Sequence, residues 1–212
     1  LRNGYVSKYM FKNCVSLKGL VYDGAADYIP EGMFYGCSSL KSQYYDGSTL
    51  QGFVLSPDSS GVKTIETKAF KGCTGIVTIT VYGATDAEIK TLAFYGCSTV
   101  STLTIYSSLK TIGERAFEAC STSGAAATFN IGATSAEAIS TTLTTISKKA
   151  FYGCTKAKYI YIAGSNVVIG ESAFQNCSTG VTGGTIKTYN TVKTIGTYAF
   201  KGCTGIATIT LN

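Results

Sequence analysis

Histidine and tryptophan are both absent from this 212-residue chain, and proline occurs only twice. Without histidine there is no Ser-His-Asp or Cys-His catalysis and no imidazole metal ligand. Without tryptophan, any sugar platform must be built from the 15 tyrosines and 10 phenylalanines. Charge is sparse, at 14% of residues, and the twelve carboxylates are scattered, so no convergent acid–base pair emerges. No apolar run approaches the roughly 18 residues of a membrane span, and no basic segment followed by an apolar one opens the chain. Neither a P-loop nor a well-placed G-x-G-x-x-G is present. The net charge of +6 is spread over lysines that never cluster in a run, which argues against nucleic acid as a partner. No cofactor is implied.

What is present is a repeat. Phe-x-x-Cys recurs eight times, ending at Cys14, Cys37, Cys73, Cys97, Cys120, Cys154, Cys177 and Cys203, which are all the cysteines of the chain. The gaps are 23, 36, 24, 23, 34, 23 and 26 residues, a basic unit of 23 with insertions. Self-similarity at that period marks a solenoid of the leucine-rich-repeat type. Five residues before each Phe stands an aliphatic residue, as at Ile65, Ile89 and Ile112, and the residue directly before it is Ala or Met. That spacing predicts a short helical turn with one buried side. After Cys, segments such as Ile76–Val81 and Val100–Ile105 read L-x-x-L-x-L, and their final four residues alternate apolar and polar, which marks a strand with one buried face. Stacked in register, these strands form a parallel sheet rising about 4.8 Å per repeat.

Val100–Thr122, VSTLTIYSSLKTIGERAFEACST, resembles the BspA-like leucine-rich repeats, and so does Ala157–Thr179, AKYIYIAGSNVVIGESAFQNCST. The fold expected is an α/β repeat: a right-handed leucine-rich-repeat solenoid with parallel strands and short helical turns, about eight repeats of 23 residues. Residues 1–212 read as one such domain, and a start in mid-repeat suggests a piece of a longer protein. The resemblance implies a non-enzymatic recognition module at a cell surface or outside the cell, of the kind associated with microbial adhesion and binding of host matrix proteins. The alternative is a structural spacer whose faces bind nothing specific.

Equivalent cysteines stack at a distance that permits bridging, yet their side chains should all point the same way into the core. Buried free thiols are therefore expected, with a disulfide or a metal as alternatives. Two long insertions leave the same corner of the coil. The first, residues 46–61, carries Phe53, Val54 and Leu55 and is expected to form a small hairpin; the second surrounds residues 134–140.

The candidate binding surface is the strand face that points away from the core. It carries Thr78, Thr80, Thr102, Thr104, Tyr159 and Tyr161, with Tyr82, Tyr106 and Tyr189 at the strand ends and Phe53 on the neighbouring insertion. β-branched and aromatic residues favour strands in any case. Tyrosine also supplies broad amphipathic contact area at low entropic cost, and solenoids use extended faces for binding. The expected partner on this face is a protein or glycan.

Overall fold

The structure, a computed structural model, describes residues 6–21, 28–45, 48–50, 53–55, 62–106, 109–132, 142–189 and 192–212. The N-terminal part contributes β1 (Gly19–Val21), β2 (Tyr28–Ile29), β3 (Ser42–Tyr45), β4 (Ser48–Leu50) and β5 (Phe53–Leu55). From there each coil supplies two strands. The first coils hold β6 (Val62–Ile65) with β7 (Thr78–Val81), β8 (Gly83–Ile89) with β9 (Thr102–Ile105), and β10 (Leu109–Ile112) with β11 (Ala127–Ile131). The remainder hold β12 (Thr145–Ile146) with β13 (Ala157–Ile162), β14 (Val167–Ile169) with β15 (Gly184–Thr188), and β16 (Val192–Ile195) with β17 (Ile206–Thr210).

Two parallel seven-stranded sheets result. One runs β2-β6-β8-β10-β12-β14-β16, the other β5-β7-β9-β11-β13-β15-β17. The second is the sheet expected from the alternating segments. The first was not anticipated; β6 and β10 in it bury positions one and four rather than alternate residues: Val62 and Ile65, Leu109 and Ile112. Register shifts between these strands let both aliphatic residues face inward.

Between the two strands of a coil lies the Phe-Cys segment, and no helix occurs among the described residues. The expected helical turn is instead a run of tight turns. Two residues per segment take a left-handed backbone, two before and two after the Phe: Lys68 (φ 59°) and Gly72 (74°) around Phe70, Leu92 (59°) and Gly96 (72°) around Phe94. A right-handed helix cannot pass through such residues. Alternate N–H groups then leave the coil. Those of Lys68, Phe70 and Gly72 donate to the carbonyls of Thr91, Ala93 and Tyr95 on the next coil, at 3.2, 2.7 and 2.8 Å. The others close short turns, as from Ala69 to Glu66 and from Cys73 to Phe70. Every backbone donor from Lys68 to Cys73 is thus used without a helix.

The core lies between the sheets and this turn wall. Phe11, Phe34, Phe70, Phe94, Phe117, Phe151, Phe174 and Phe200 form one column with ring centroids 5.0–5.5 Å apart and nearly parallel planes. Ala69, Ala93, Ala116, Ala150 and Ala173 are fully buried beside it.

The repeat count also differs from eight. Five coils, from β6–β7 to β14–β15, have hydrogen-bonded neighbours on both sides in both sheets. The array is a parallel-strand solenoid of about five such turns with less regular coils at its ends. The reason lies in the first insertion. β3, where the second strand of its coil should be, leaves the large sheet and pairs with β1 and, antiparallel, with β4. β5 then takes the vacated place beside β7. The hairpin is therefore β3–β4, and Phe53–Leu55 is a strand of the main sheet rather than a hairpin of its own. Residues 133–141, which include the second insertion, lie outside the described residues.

Candidate functional site

The outward face of the β5-to-β17 sheet is built by register. Thr78, Thr102, Thr128, Tyr159, Thr185 and Thr208 are successive partners in one row. Thr80, Thr104, Asn130, Tyr161, Lys187 and Thr210 form a second row two residues on. Residues between these rows, such as Ile79, Leu103, Phe129, Ile160 and Ile186, are buried, so the rows face outward as the alternation predicts. Beyond the second row lie Tyr82, Tyr106, Gly132, Ala163 and Tyr189. They are linked by ladder bonds such as Tyr106 N–H to Val81 O at 3.0 Å and Tyr189 N–H to Ile162 O at 3.0 Å.

Among the expected residues, the structure makes two aromatic clusters. Tyr82 and Tyr106 stack with centroids 4.1 Å apart and planes 10° apart. A hydrogen bond with Tyr106, then partial burial, raises the Tyr82 phenol above its ordinary value. Tyr159 and Tyr161 lie parallel at 6.4 Å, and Tyr161 meets Tyr189 at 6.2 Å with planes tilted by 47°. Partial burial, then the neighbouring Tyr161, raises the Tyr189 phenol. These two phenols are therefore neutral donors and acceptors across the physiological range.

Two lysines that the sequence reading passed over join the second cluster. Lys158 places its ammonium 5.4 Å from the Tyr159 ring centre, and Lys187 lies 4.7 Å from Tyr189. Their signal was available in the repeat, since Lys187 occupies an outward strand position held by Thr in other coils. Phe53 lies in β5 beside β7. It pairs with Ile79, a buried position, whereas Val54 pairs with Thr80 on the outward row.

The two outward rows and the strand-end positions hold no carboxylate. Most of the thiols are shut away from solvent. Cys37, Cys73, Cys97, Cys120, Cys154 and Cys177 are buried, all eight cysteines are free, and none of the described residues form a metal-binding group. Each thiol from Cys37 onward donates to the carbonyl of the preceding coil's Phe, as from Cys97 Sγ to Phe70 O at 3.3 Å and Cys120 Sγ to Phe94 O at 2.9 Å. Burial pushes the Cys37 thiol up to about 11 and Cys203 to about 12, and raises Cys73, Cys97 and Cys154 further. The face is chemically suited to binding: hydroxyl rows, half-buried phenols and two cations on a rigid sheet. A cavity of about 380 Å³ lies elsewhere, at the first coils, lined by residues that include Lys8, Tyr28, Glu31 and Glu66. None of the expected face residues borders it.

The sequence matches the model of the BspA type leucine rich repeat region in six copies, over residues 4–49, 43–179 and 124–212. No curated protein matches it. Among solved structures it is similar to a leucine-rich repeat protein from Bacteroides ovatus, with 21% identity, 97% of this chain and 57% of that chain covered, and a TM-score of 0.55. It is also similar to a leucine rich cell surface protein from Faecalibacterium prausnitzii, with 20% identity, 95% and 62% covered, and a TM-score of 0.45. The chain thus spans less than two thirds of either protein.

Proposed function

Because this chain belongs to the BspA-type leucine-rich-repeat family, we infer that residues 1–212 act as a single non-enzymatic recognition domain displayed at a cell surface. Repeats of this kind suggest interaction or surface modules, and the first solved relatives share the architecture. The observation that carries the reading is the outward strand face. Six coils bring Thr, Tyr, Asn and Lys into two registered rows, with a three-tyrosine cluster at Tyr159, Tyr161 and Tyr189. Rings held on a sheet lose little freedom on binding, and their faces and hydroxyls suit a protein or glycan surface. The burial of six of the eight thiols and the lack of carboxylates on the face support a role without catalysis. No helix among the described residues is long and apolar enough to cross a membrane.

The test is direct binding of the purified chain to immobilised extracellular-matrix proteins and to a glycan array. Replacing Tyr159 and Tyr161 together by Thr restores the row's commonest residue and preserves strand propensity. Loss of binding at unchanged melting temperature supports the face. Absence of any binding by the unaltered chain supports the spacer reading instead.

A further inference from the structure

A second surface, independent of the strand face, carries its own recognition chemistry. The turn wall stacks the Phe-Cys segments, and the residues after Phe11, Phe34, Phe70 and Phe94 lie along it. In the first four coils these residues alternate: Lys12, Tyr35, Lys71, Tyr95. The Lys12 ammonium lies 5.3 Å from the Tyr35 ring centre, and Lys71 lies 5.5 Å from Tyr35 and 4.9 Å from Tyr95. Arg115 continues the series 5.6 Å from Tyr95. Each of the two rings is therefore held between two cations, and successive cations lie two coils, about 10 Å, apart. A ring that binds a cation on each face keeps those faces from solvent and presents its edge and hydroxyl.

The charges of this wall are unbalanced in a specific way. Glu31 is taken by Lys8 at 3.1 Å, Glu118 by Arg115 at 2.6 Å, and Glu171 by Lys148 at 2.9 Å. Among the described residues, Lys12, Lys68, Lys71, Lys149 and Lys201 have no carboxylate within 4.0 Å. Among the described residues of the wall, Glu66 and Glu114 remain outside an ion pair. The net of the unpaired groups is positive: Lys12, Lys71 and Lys201 each directly follow a Phe, while Lys68 and Lys149 stand two residues before one, so the charges occupy two columns of the wall.

We propose that this cation–tyrosine ladder is a binding site for a linear anionic polysaccharide, one carrying sulfate or carboxylate groups, laid along the turn wall. Such a chain presents anions for Lys12, Lys71 and their neighbours and hydroxyls for the phenols between them. Single-stranded nucleic acid needs open ring faces on which bases stack, and the ladder's rings are covered on both sides. An acidic polypeptide satisfies the cations and leaves the phenol row without matching hydroxyls.

The experiment titrates the full chain at low salt with dextran sulfate, unmodified dextran, polyglutamate and oligo-dT. Binding to dextran sulfate alone, lost on adding salt to about 0.5 M, is the expected result. The double variant Lys12→Gln/Lys71→Gln should weaken it by about tenfold, a change readily resolved in an affinity measurement. Lys12→Arg/Lys71→Arg keeps the cations and should retain binding. Lys110→Gln, which removes a lysine paired with Asp86 on the other sheet, should leave affinity within about twofold. Equal binding of dextran, tighter binding of polyglutamate or oligo-dT, an equal loss in Lys110→Gln, or no binding at all would each overturn the proposal.

Discussion

The thiol of each repeat closes a contact that no other small side chain would make in the same way. The carbonyl of a buried Phe accepts a backbone N–H within its own coil, as from Cys97 to Phe94, and an S–H from the next coil, as from Cys120 at 2.9 Å. Ionising such a thiol strands a charge in the core. The native pKa values are raised, to about 11 for Cys37 and about 12 for Cys203, so the unfolded chain loses its thiol protons first. Stability is then full below the ordinary thiol value of about 8.5 and declines as pH rises toward the native values. A denaturant midpoint that is flat near neutral pH and falls between about pH 9 and 11 is the expected profile; one that rises over that range contradicts the burial of the column. Ellman's reagent should find the exposed Cys14 in the native chain and all eight thiols after denaturation without reductant. Fewer than seven would mean at least one bridge.

The Phe column sits at the same scale. Phe117 is fully buried and lies 5.0 and 5.1 Å from its two ring neighbours. Phe117→Ala should cost on the order of 3–5 kcal/mol, because the stacked coils cannot collapse into the cavity. Thr104→Ala on the outward row should cost less than about 0.5 kcal/mol. Chemical denaturation of both variants decides the matter, and equal losses would mean that the faces are reversed.

At the scale of the element, the turn segment shows what was legible and what was not. The columns of Phe, Cys and Ala and the alternating second strand could be read directly, since burial there follows periods that sequence displays. The turn itself could not. Apolar residues at positions 1, 5, 6 and 9, as in Ile65, Ala69, Phe70 and Cys73, fit a helix just as well, and only backbone handedness separates the two. The overlooked signal was the residue two after Phe, which is Gly or Asn in seven coils: Asn13, Gly36, Gly72, Gly96, Gly153, Asn176 and Gly202. Those are the residues that tolerate a left-handed backbone. Ala119, at φ 56°, is the exception. This yields a matched pair of expectations. A Cβ added to Gly96, at φ 72°, meets nothing within 4 Å, so Gly96→Ala measures backbone strain alone and should cost about 1–2 kcal/mol. Ala119→Gly relieves a similar strain against a glycine entropy cost of about 0.5–1 kcal/mol, so it should be neutral or stabilising. A large loss on Ala119→Gly would contradict the handedness argument.

For the molecule as a whole, the sequence period correctly implied a stack and misjudged its extent. A count of Phe-x-x-Cys units treats every coil alike, but pairing depends on which strand reaches the sheet. The insertion after β3 supplies β5, and a strand replaced by a later one leaves no mark in the repeat count. The candidate face was legible as rows because outward positions alternate with core ones. The clustering of Tyr159, Tyr161 and Tyr189 with Lys158 and Lys187 was not, because it depends on register between coils.

The central claim, recognition through that face, is tested most directly by oxidative footprinting of tyrosines with and without a ligand captured from the matrix or glycan panel. The account predicts protection of Tyr106, Tyr159, Tyr161 and Tyr189, with Tyr28 and Tyr198, exposed at 40% and 58% on other parts of the molecule, unchanged. Protection of Tyr28 or Tyr198 with the face tyrosines unchanged would contradict it.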